Sequence, residues 1–599
     1  MLAGFTASLQ SQQQTPEITA EELRGHVRYL ASDELAGRGS GTSGNAQAAA
    51  YIEKNLKLWG LKPGGVNGGY FQPFEFVSAV KLGEKNIMTL EGPGLPKDRK
   101  TLTVDVDFRP FGFSSTGSAE GDLVFAGYGV SAPEKQYDDY AGLDVKGKIV
   151  IMLRYGPDGS SPRSEYQRFT GLRNKARVAR EKGAAAMIMI NGPVDETDDN
   201  LYRLALDQGA GSSGIIALSM KRDLLEPLFR ASGWRLKSLQ DSMRATGKPN
   251  SFALKDSRAR MDVEVTRVMS ETANIVGYLE GNDPVRRNEV VVLGAHMDHL
   301  GMGGPGSGSM TPDTQAIHNG ADDNASGTAS LLELAQAMAA RRASLHRTYV
   351  FAFFSAEELG TLGSGHYVAA PSFPLPQTVA MLNLDMVGRL QDRKLTVGGT
   401  GTSPEWPILL ERHNADSTFA LTMNPDGFGP SDHAVFYGGG IPVLFFFTGT
   451  HDDYHKPSDD WDKLNYEDQK KITRYVEAIV SDLDTMKTRP AFVRVQVAAS
   501  GRGGQGGDTR GFSVTLGIVP DVGESSTGMK ISGVRPNGPA EKAGLKAGDV
   551  ILSMAGKKIL NVYDYMGVLG ELKAGDEIAV EVSRDGATQT FKAVMQKRN

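Results

Sequence analysis

The sequence contains no cysteine. Disulfide bonds, thiolate metal ligands and a cysteine nucleophile are therefore excluded. It also lacks any uninterrupted apolar run near the roughly 18 residues of a membrane span, so we expect no transmembrane helix. Neither sign of charge dominates, because 65 basic residues stand against 71 acidic ones. This balance, without a clustered basic stripe, argues against a nucleic-acid partner.

With 599 residues the chain is too long for one hydrophobic core, and its length indicates roughly three to four domains. We predict that residues 1–18, which are rich in Gln, form a disordered leader or the remnant of a signal peptide. On this interpretation the protein is bacterial and either secreted or periplasmic. Residues 488–509 include a run of Gly and are predicted to be a flexible linker. Neither segment is expected to carry chemistry.

Residues 266–487 alternate near-continuous apolar strands with amphipathic helices. This alternation predicts an α/β fold, with a mostly parallel sheet flanked by helices in an α/β/α sandwich. The predicted strands are 290–295, 348–354, 379–385 and 442–447, and the predicted helices are 326–340, 405–413 and 466–483. Residues 20–113 begin with a capping-box helix at Thr19 and a second helix at 44–59. We assign them to the same layers.

Two further segments resemble known interaction modules. Residues 115–265 are β-rich, and the order of strand 148–153, basic helix 172–182 and strand 185–190 resembles an inserted protease-associated domain, which has no chemistry of its own. Residues 510–598 contain Leu516-Gly517-Ile518 and the long run 538–552, and they resemble a PDZ domain of the bacterial type. A PDZ domain accepts an extended peptide by strand addition. The resemblance therefore implies a peptide C-terminus as a partner.

Five short motifs supply candidate metal ligands, each just past the carboxyl end of a strand, where α/β sheets place functional groups. The motif residues are His296, Asp322, the pair Glu357 and Glu358, Asp385, and His455. Asp322 and Asp323 are adjacent in a Gly-rich turn, where two carboxylates are either fully solvated or neutralised by a cation. Asp385 ends an apolar strand, where an unpaired charge would be costly. Together the motifs predict a metal centre.

In this order the motifs resemble those of the dinuclear zinc aminopeptidases, metallopeptidase family twenty-eight of the MH clan. The resemblance implies two zinc ions that share Asp322. It implies that the remaining ligands of one ion are His296 and Asp385, and that those of the other are Glu358 and His455. Ligands of nitrogen and oxygen suit zinc and also cobalt or manganese.

The resemblance also implies roles around the metals. Glu357 matches the general base, and Asp298 matches the carboxylate that orients His296. Asp323 follows the shared ligand at a place where the family often has a cis peptide bond. One departure is Phe428, which stands where some relatives have a Tyr able to donate to the oxyanion. Tyr437 and Tyr454 are candidate replacements.

The function that the resemblance favours is the removal of N-terminal residues from peptides, with spare oxygens of Glu358 or Asp385 holding the α-amine. A carboxypeptidase or dipeptidase of the same clan remains open, with Arg389 as a carboxylate clamp. A cyclase with one zinc and a non-catalytic binding protein are further alternatives. The oligomeric state stays open. His299, His318, His433 and His451 lie near the motifs and are weaker candidates for lining the cleft, whereas we interpret His26, His346, His366 and His413 as structural.

Overall fold

The structure is a computed structural model of the chain. It describes residues 17–95, 101–161, 164–206, 212–304, 306–495, 514–520, 528–534, 538–546, 548–560, 562–584 and 586–597. The predicted leader lies outside the described residues up to residue 16, and the predicted linker does so from residue 496. Within these ranges, no helix combines the length and the hydropathy needed to span a bilayer.

The chain divides into two compact units. The first contains the chain up to Glu75 together with Glu271–Gly506, and the second contains Phe76–Ser270 and Gly507–Arg598. The first unit is built on a nine-stranded sheet. Its strands lie in the order Lys62–Pro63, Val265–Leu279, Thr348–Phe354, Val290–His296, Thr378–Leu384, Val443–Phe447, Lys394–Gly398 and Ala420–Met423, and Phe71–Leu82 pairs with Val265–Leu279.

The four central strands of this sheet are parallel, from Thr348–Phe354 through Val443–Phe447. Consecutive residues of the central strand point to opposite sides, so Val291 and Leu293 join one core, and Val290 and Val292 join another. Helices cover both faces. They are Ala20–Leu30, Ser43–Leu58, Gly327–Ala340, Leu362–Ala369, Glu405–Arg412, His433–Gly438 and Tyr466–Thr485. The predicted α/β fold, flanked by helices, is confirmed.

The N-terminal helices belong to these layers, as the sequence predicts, because Val27 and Ile52 pack in the same core as Val291. The Thr19 hydroxyl accepts a hydrogen bond from the main-chain N–H of Glu22 at 3.1 Å, which forms the predicted cap. The structure does not follow the predicted boundary at residue 113. Strands Ile87–Glu91 and Phe108–Pro110 pair with strands of the second unit, so the change of sheet comes earlier in the chain than the sequence pattern indicates.

Among the described residues, the second unit contains two larger sheets and two short two-stranded ones. The first has eight strands in the order Thr101–Leu102, Ile87–Glu91, Ser251–Val263, Gly117–Ala126, Ile149–Leu153, Ala186–Ile190, Ile216–Met220 and Phe108–Pro110, and Ser131–Ala132 pairs separately with Tyr137–Asp138. Its helices are Gln167–Thr170, Leu172–Glu181, Glu226–Ala231 and Leu236–Thr246. Apolar side chains fill both of its faces, which gives this part of the unit its own core.

The second sheet of this unit belongs to the C-terminal segment. Its order is Ile518–Pro520, Met529–Val534, Val550–Met554, Glu577–Arg584 and Ala587–Val594, with Lys557–Lys558 paired to Val550–Met554. Val514–Thr515 and Gln596–Lys597 form a separate two-stranded sheet. Its helices are Pro539–Ala543 and Val562–Glu571. Helix Leu172–Glu181 contacts helix Val562–Glu571 through an ion pair of Arg180 with Asp564 at 3.0 Å. The two modules of this unit are therefore joined by a charged contact.

Arg38 ties the N-terminal segment to the turn that precedes helix Gly327–Ala340. Its guanidinium is fully buried, and its hydrogen bonds to the described residues all go to main-chain carbonyls. The acceptors are Met297 at 2.9 Å, Asn319 at 2.7 Å, Gly320 at 2.9 Å, and Leu30. A guanidinium presents five donors in a fixed planar arrangement, so it can hold several carbonyls at once. Burial lowers the pKa of Arg38 to about 10, and nearby carboxylates counter part of that shift.

Replacing Arg38 with Met should lower the free energy of unfolding by about 3 kcal/mol or more, because four buried carbonyls lose their donor. The control is Arg412→Met, which removes a mostly exposed ion pair with Asp482 and should cost less than about 1 kcal/mol. Denaturant unfolding followed by circular dichroism measures both. Equal losses in the two variants would show that Arg38 does not hold the turn.

Candidate metal centre

The carboxyl ends of the parallel strands bring the predicted site residues together at one edge of the sheet. His296 is the last residue of its strand, Asp385 directly follows Thr378–Leu384, and Glu358 lies in the turn after Thr348–Phe354. The next helix begins only at Leu362. The pair therefore lies in a turn at the sheet edge.

One set of candidate ligand atoms surrounds His296. Its Nε2 lies 3.4 Å from Oδ1 of Asp323 and 3.3 Å from Oδ1 of Asp385. All three side chains are buried, and they form a group whose atoms could hold a metal ion. Oδ1 of Asp385 has no hydrogen-bond partner among the described residues. A buried carboxylate oxygen without a donor is the kind of atom that a cation satisfies.

A second set lies on the other oxygen of Asp323. Nε2 of His455 is 3.1 Å from Oδ2 of Asp323 and 3.2 Å from Oε2 of Glu358. His299 also approaches this set, with Nδ1 2.6 Å from Oε1 of Glu358. His299, Asp323 and Glu358 form the second group able to hold an ion. Asp323 thus faces each set with one oxygen.

This geometry corrects the expectation for Asp322, which does not lie between the two sets. Oδ1 of Asp322 accepts a hydrogen bond from the main-chain N–H of Gly388 at 2.7 Å, and its Oδ2 lies 3.2 Å from Nε2 of His451. The two aspartates are neighbours in sequence, but the turn directs their side chains to different partners. The cis peptide bond joins Asp323 to Asn324.

The electrostatics of the site are those of concentrated negative charge. Burial opposes protonation of His296, but the carboxylates of Asp385 and Glu357 outweigh it and raise the pKa of His296 well above its ordinary value. For His455, Glu358 and Asp323 likewise outweigh burial and raise its pKa to about 11. Both histidines are therefore drawn toward positive charge, and a divalent cation at these atoms would supply it.

Glu357 stands beside the two sets. Its Oε2 lies 3.9 Å from Nε2 of His296, and its carboxylate has no hydrogen-bond partner within the described residues. Burial, and then the carboxylates of Asp432 and Glu358, raise the pKa of Glu357 well above its ordinary value. A carboxyl group in such surroundings takes up a proton more readily than one in water.

A further layer of residues holds the candidate ligands. Asp298 accepts hydrogen bonds from the Ser40 hydroxyl at 2.8 Å and from the N–H of Glu357 at 3.2 Å. Its Oδ1 is 3.8 Å from Nδ1 of His296, whereas its main-chain oxygen is closer, at 3.2 Å. The Ser431 hydroxyl donates to Oδ2 of Asp385 at 2.8 Å. These contacts fix the orientation of the side chains that carry the candidate ligand atoms.

Asp459 positions the turn that carries the shared carboxylate. Its Oδ2 accepts hydrogen bonds from the main-chain N–H groups of Asp322 at 3.0 Å and Asp323 at 3.1 Å. Sequence reasoning named neither Asp459 nor Ser431 in such a role, and it included His299 only among cleft residues. Asp459 lies four residues after His455, within the motif, so its spacing alone could have drawn attention to it.

The other tyrosines and histidines named in the sequence analysis make the contacts described next. Tyr437 accepts a hydrogen bond from the N–H of Val495 and packs edge-on against Phe428, whereas Tyr454 stacks on His455 at 3.9 Å. The remaining histidines contact the protein as follows: His451 with Asp322, His318 with Ser309, His433 with Phe445, His26 with Glu333, His346 with Asp484, His366 with Phe74 and His413 with Asp482.

Comparisons with known proteins match the fold and its modules. Family models match the chain as peptidase family M28 at residues 274–480, as a PA domain at 119–223 and as a PDZ domain at 514–594. The chain is 25% identical over 427 residues to aminopeptidase YwaD of Bacillus subtilis (strain 168), which covers 67% of this chain and 80% of the relative. It is 28% identical over 278 residues to leupeptin-inactivating enzyme 1 of Streptomyces exfoliatus, which covers 45% of this chain and 58% of that one.

A solved structure of similar fold is the aminopeptidase from Aneurinibacillus sp. strain AM-1, with a TM-score of 0.51 at 22% identity. The match covers 80% of this chain and 97% of that one. The family match at residues 274–480 indicates that this part of the chain is a metallopeptidase domain. More specifically, the chain carries a peptidase family M28 domain together with a PA domain and a PDZ domain. The predicted family and modules are confirmed.

Asp323→Asn should bind less zinc than the wild-type chain, because it neutralises the carboxylate shared by both sets of ligand atoms. The matched variant is Asp322→Asn, whose amide can accept from Gly388 and donate to His451, and which should keep its zinc. Elemental analysis after loading with zinc and dialysis measures both. Loss of metal from Asp322→Asn, with retention by Asp323→Asn, would return the shared role to Asp322.

Proposed function

We propose that the chain is a zinc aminopeptidase that removes single residues from the free N-terminus of peptides. The observation that carries the proposal is the Asp323 carboxylate, whose two oxygens each face a separate histidine. Two similar proteins, from Bacillus subtilis and from Aneurinibacillus, are named aminopeptidases. Imidazole and carboxylate ligands without thiolate suit zinc.

On this proposal His296, Asp385 and Asp323 hold one ion, and His455, Glu358 and Asp323 hold another. In each set the histidine Nε2 lies 3.1 to 3.4 Å from the two carboxylate oxygens, a spacing that suits atoms around one small cation. When bound, zinc lowers the pKa of a water molecule and polarises a carbonyl group. Asp298 and Ser431 keep His296 and Asp385 aimed at the site.

Glu357 acts as the general base. Its carboxylate is free of hydrogen bonds from the described residues and lies beside His296, so it can accept a proton from the attacking water. The same carboxyl group then returns that proton to the amine that leaves. Its surroundings favour the protonated form, so the proton is held between these two transfers. Asp298 fixes the position of Glu357 through the main-chain N–H.

Selectivity for the amino terminus agrees with the names of the similar proteins, which are aminopeptidases. Arg389, the candidate clamp for a carboxypeptidase, already donates to Oδ2 of Asp453 at 2.9 Å. However, Oε1 of Glu358 and Oδ2 of Asp385 are taken by His299 and Ser431, so neither is the spare oxygen expected for the α-amine.

The proposal extends to partners and location. Strand Ile518–Pro520 is the first strand in its sheet, and a peptide C-terminus would add to this edge as a further strand. A secreted or periplasmic location agrees with the name of one relative, a probable periplasmic serine endoprotease from a Marinomonas strain, which is 40% identical over 75 residues. That match covers only 12% of this chain.

Glu357→Gln should retain zinc but lose turnover by about a hundredfold or more, because an amide cannot accept the proton. Glu53→Gln, which breaks only a helix ion pair with Lys57, is the control and should keep full activity. Release of an amino acid from a peptide, together with zinc content, checks both variants. A turnover near the wild-type rate in Glu357→Gln would remove this residue from the mechanism.

The aminopeptidase proposal is tested with one peptide in two forms, with a free N-terminus and N-acetylated. Mass spectrometry should show loss of single N-terminal residues from the free form alone, and a zinc chelator should stop it. Removal of C-terminal residues or internal cleavage would indicate another peptidase. Absence of cleavage by zinc-loaded protein would favour a binding protein.

A further inference from the structure

The strongest unassigned group near the site is His299, which lies three residues after His296. Its side chain is fully buried, and its main-chain N–H donates to the carbonyl of Arg38 at 3.3 Å. The ring lies against the turn that carries Asp323, because a Cβ at Gly320 would be only 2.4 Å from Cδ2 of His299. Only glycine at position 320 leaves room for this ring.

The two oxygens of Glu358 have different neighbours. Oε2 lies 3.2 Å from Nε2 of His455, which belongs to the second set of ligand atoms. Oε1 lies 2.6 Å from Nδ1 of His299. Oε2 of Glu358 thus faces the second set of candidate metal ligands, and Oε1 faces His299.

Distances decide whether His299 is a ligand or a donor. Ligand atoms with bonds of about 2.1 Å in a tetrahedral zinc site are roughly 3.4 Å apart. The contacts of His455 with Asp323 and Glu358, at 3.1 and 3.2 Å, are close to that spacing. The 2.6 Å between His299 and Glu358 is too short for two ligands of one tetrahedral ion and suits a charge-assisted hydrogen bond.

We propose that His299 is a positioning residue, whose Nδ1–H holds Oε1 of Glu358 and thereby directs Oε2 to the metal ion shared with His455. The tautomer follows from burial. Nε2 of His299 has no hydrogen-bond partner among the described residues, so a proton there would be a buried donor without an acceptor. The neutral form with its proton on Nδ1 avoids that cost and supplies the donor that Glu358 needs.

This inference rests on the proposed zinc centre and adds a residue to it. A hydrogen bond that fixes a metal-ligating side chain typically contributes 10–100-fold to metal affinity. His299 would hydrogen-bond Glu358 and not Asp323, because its Nδ1 is farther from Asp323, at 3.9 Å. Its ring also packs edge-on against His455 of the same set, with ring centroids 5.7 Å apart. The effect should therefore fall on one of the two ions and leave the ion at His296 and Asp385 almost unchanged.

The test compares His299→Leu with His299→Asn in the full chain. Leu matches part of the ring but donates nothing, whereas the Asn amide nitrogen can occupy the place of Nδ1 and donate to Glu358. His413→Leu, which removes only a contact with Asp482, is the control. Metal-depleted protein is titrated with zinc by calorimetry, and circular dichroism reports whether each variant is folded.

We expect His299→Leu to weaken one of two zinc sites by about 10–100-fold, and His299→Asn to stay within about threefold of the wild type. Unchanged affinities in His299→Leu would overturn the proposal. Equal weakening in both variants would also overturn it, because it would make His299 a ligand. If the wild-type chain binds no zinc, the proposed function itself fails, which separates the two outcomes.

A second measurement is independent of whether the variants fold. A crystal structure of the zinc-loaded wild-type chain, with ions located by anomalous scattering, gives the distance from Nδ1 of His299 to the nearest ion. We expect Nδ1 to remain within hydrogen-bond distance of Glu358 and outside bonding distance of zinc. A bond of about 2.1 Å from Nδ1 to an ion would contradict the proposal.

Discussion

The division of the Asp323 carboxylate between two sets of ligand atoms constrains the rest of the site. Each oxygen must face its own histidine, His296 on one side and His455 on the other, so the main chain at Asp323 has little freedom. Asp459 fixes that main chain by accepting hydrogen bonds from the N–H groups of Asp322 and Asp323. Arg38 donates to the carbonyls of Asn319 and Gly320, which precede them in the turn. The shared carboxylate is therefore supported from both sides by buried charged groups.

This support explains why the N-terminal segment is part of the catalytic layer although a long insertion separates it in sequence. Arg38 and Ser40 contact the turn and Asp298, which come more than 250 residues later. The insertion leaves through strand Phe71–Leu82 and returns through Val265–Leu279, and these two strands pair with each other. Because both ends of the insertion lie side by side, the sheet that carries the ligands stays intact.

The sequence could predict the central strands and the ligand motifs, because buried parallel strands form long apolar runs and polar residues follow them directly. It did not reveal strands Lys394–Gly398 and Ala420–Met423, which are short and partly exposed, so their composition differs little from that of a loop. The boundary at residue 113 was too late for a related reason. Short strands such as Phe108–Pro110 join a sheet through distant partners that no local pattern records.

No sequence pattern could tell which of Asp322 and Asp323 faces both sets of ligand atoms, because adjacent residues of the same type differ only in the direction that the turn gives their side chains.

The charge of the site supports the proposal of two ions over one. Asp323, Asp385 and Glu358 place three carboxylates in the two sets, beside Glu357 and with imidazoles as the other candidate ligands. On the proposed assignment, one divalent ion would leave a negative charge uncompensated among these ligands, which is costly in a poorly solvated place. Two divalent ions would compensate all three, and the carboxylate of Asp323 has one oxygen facing each set.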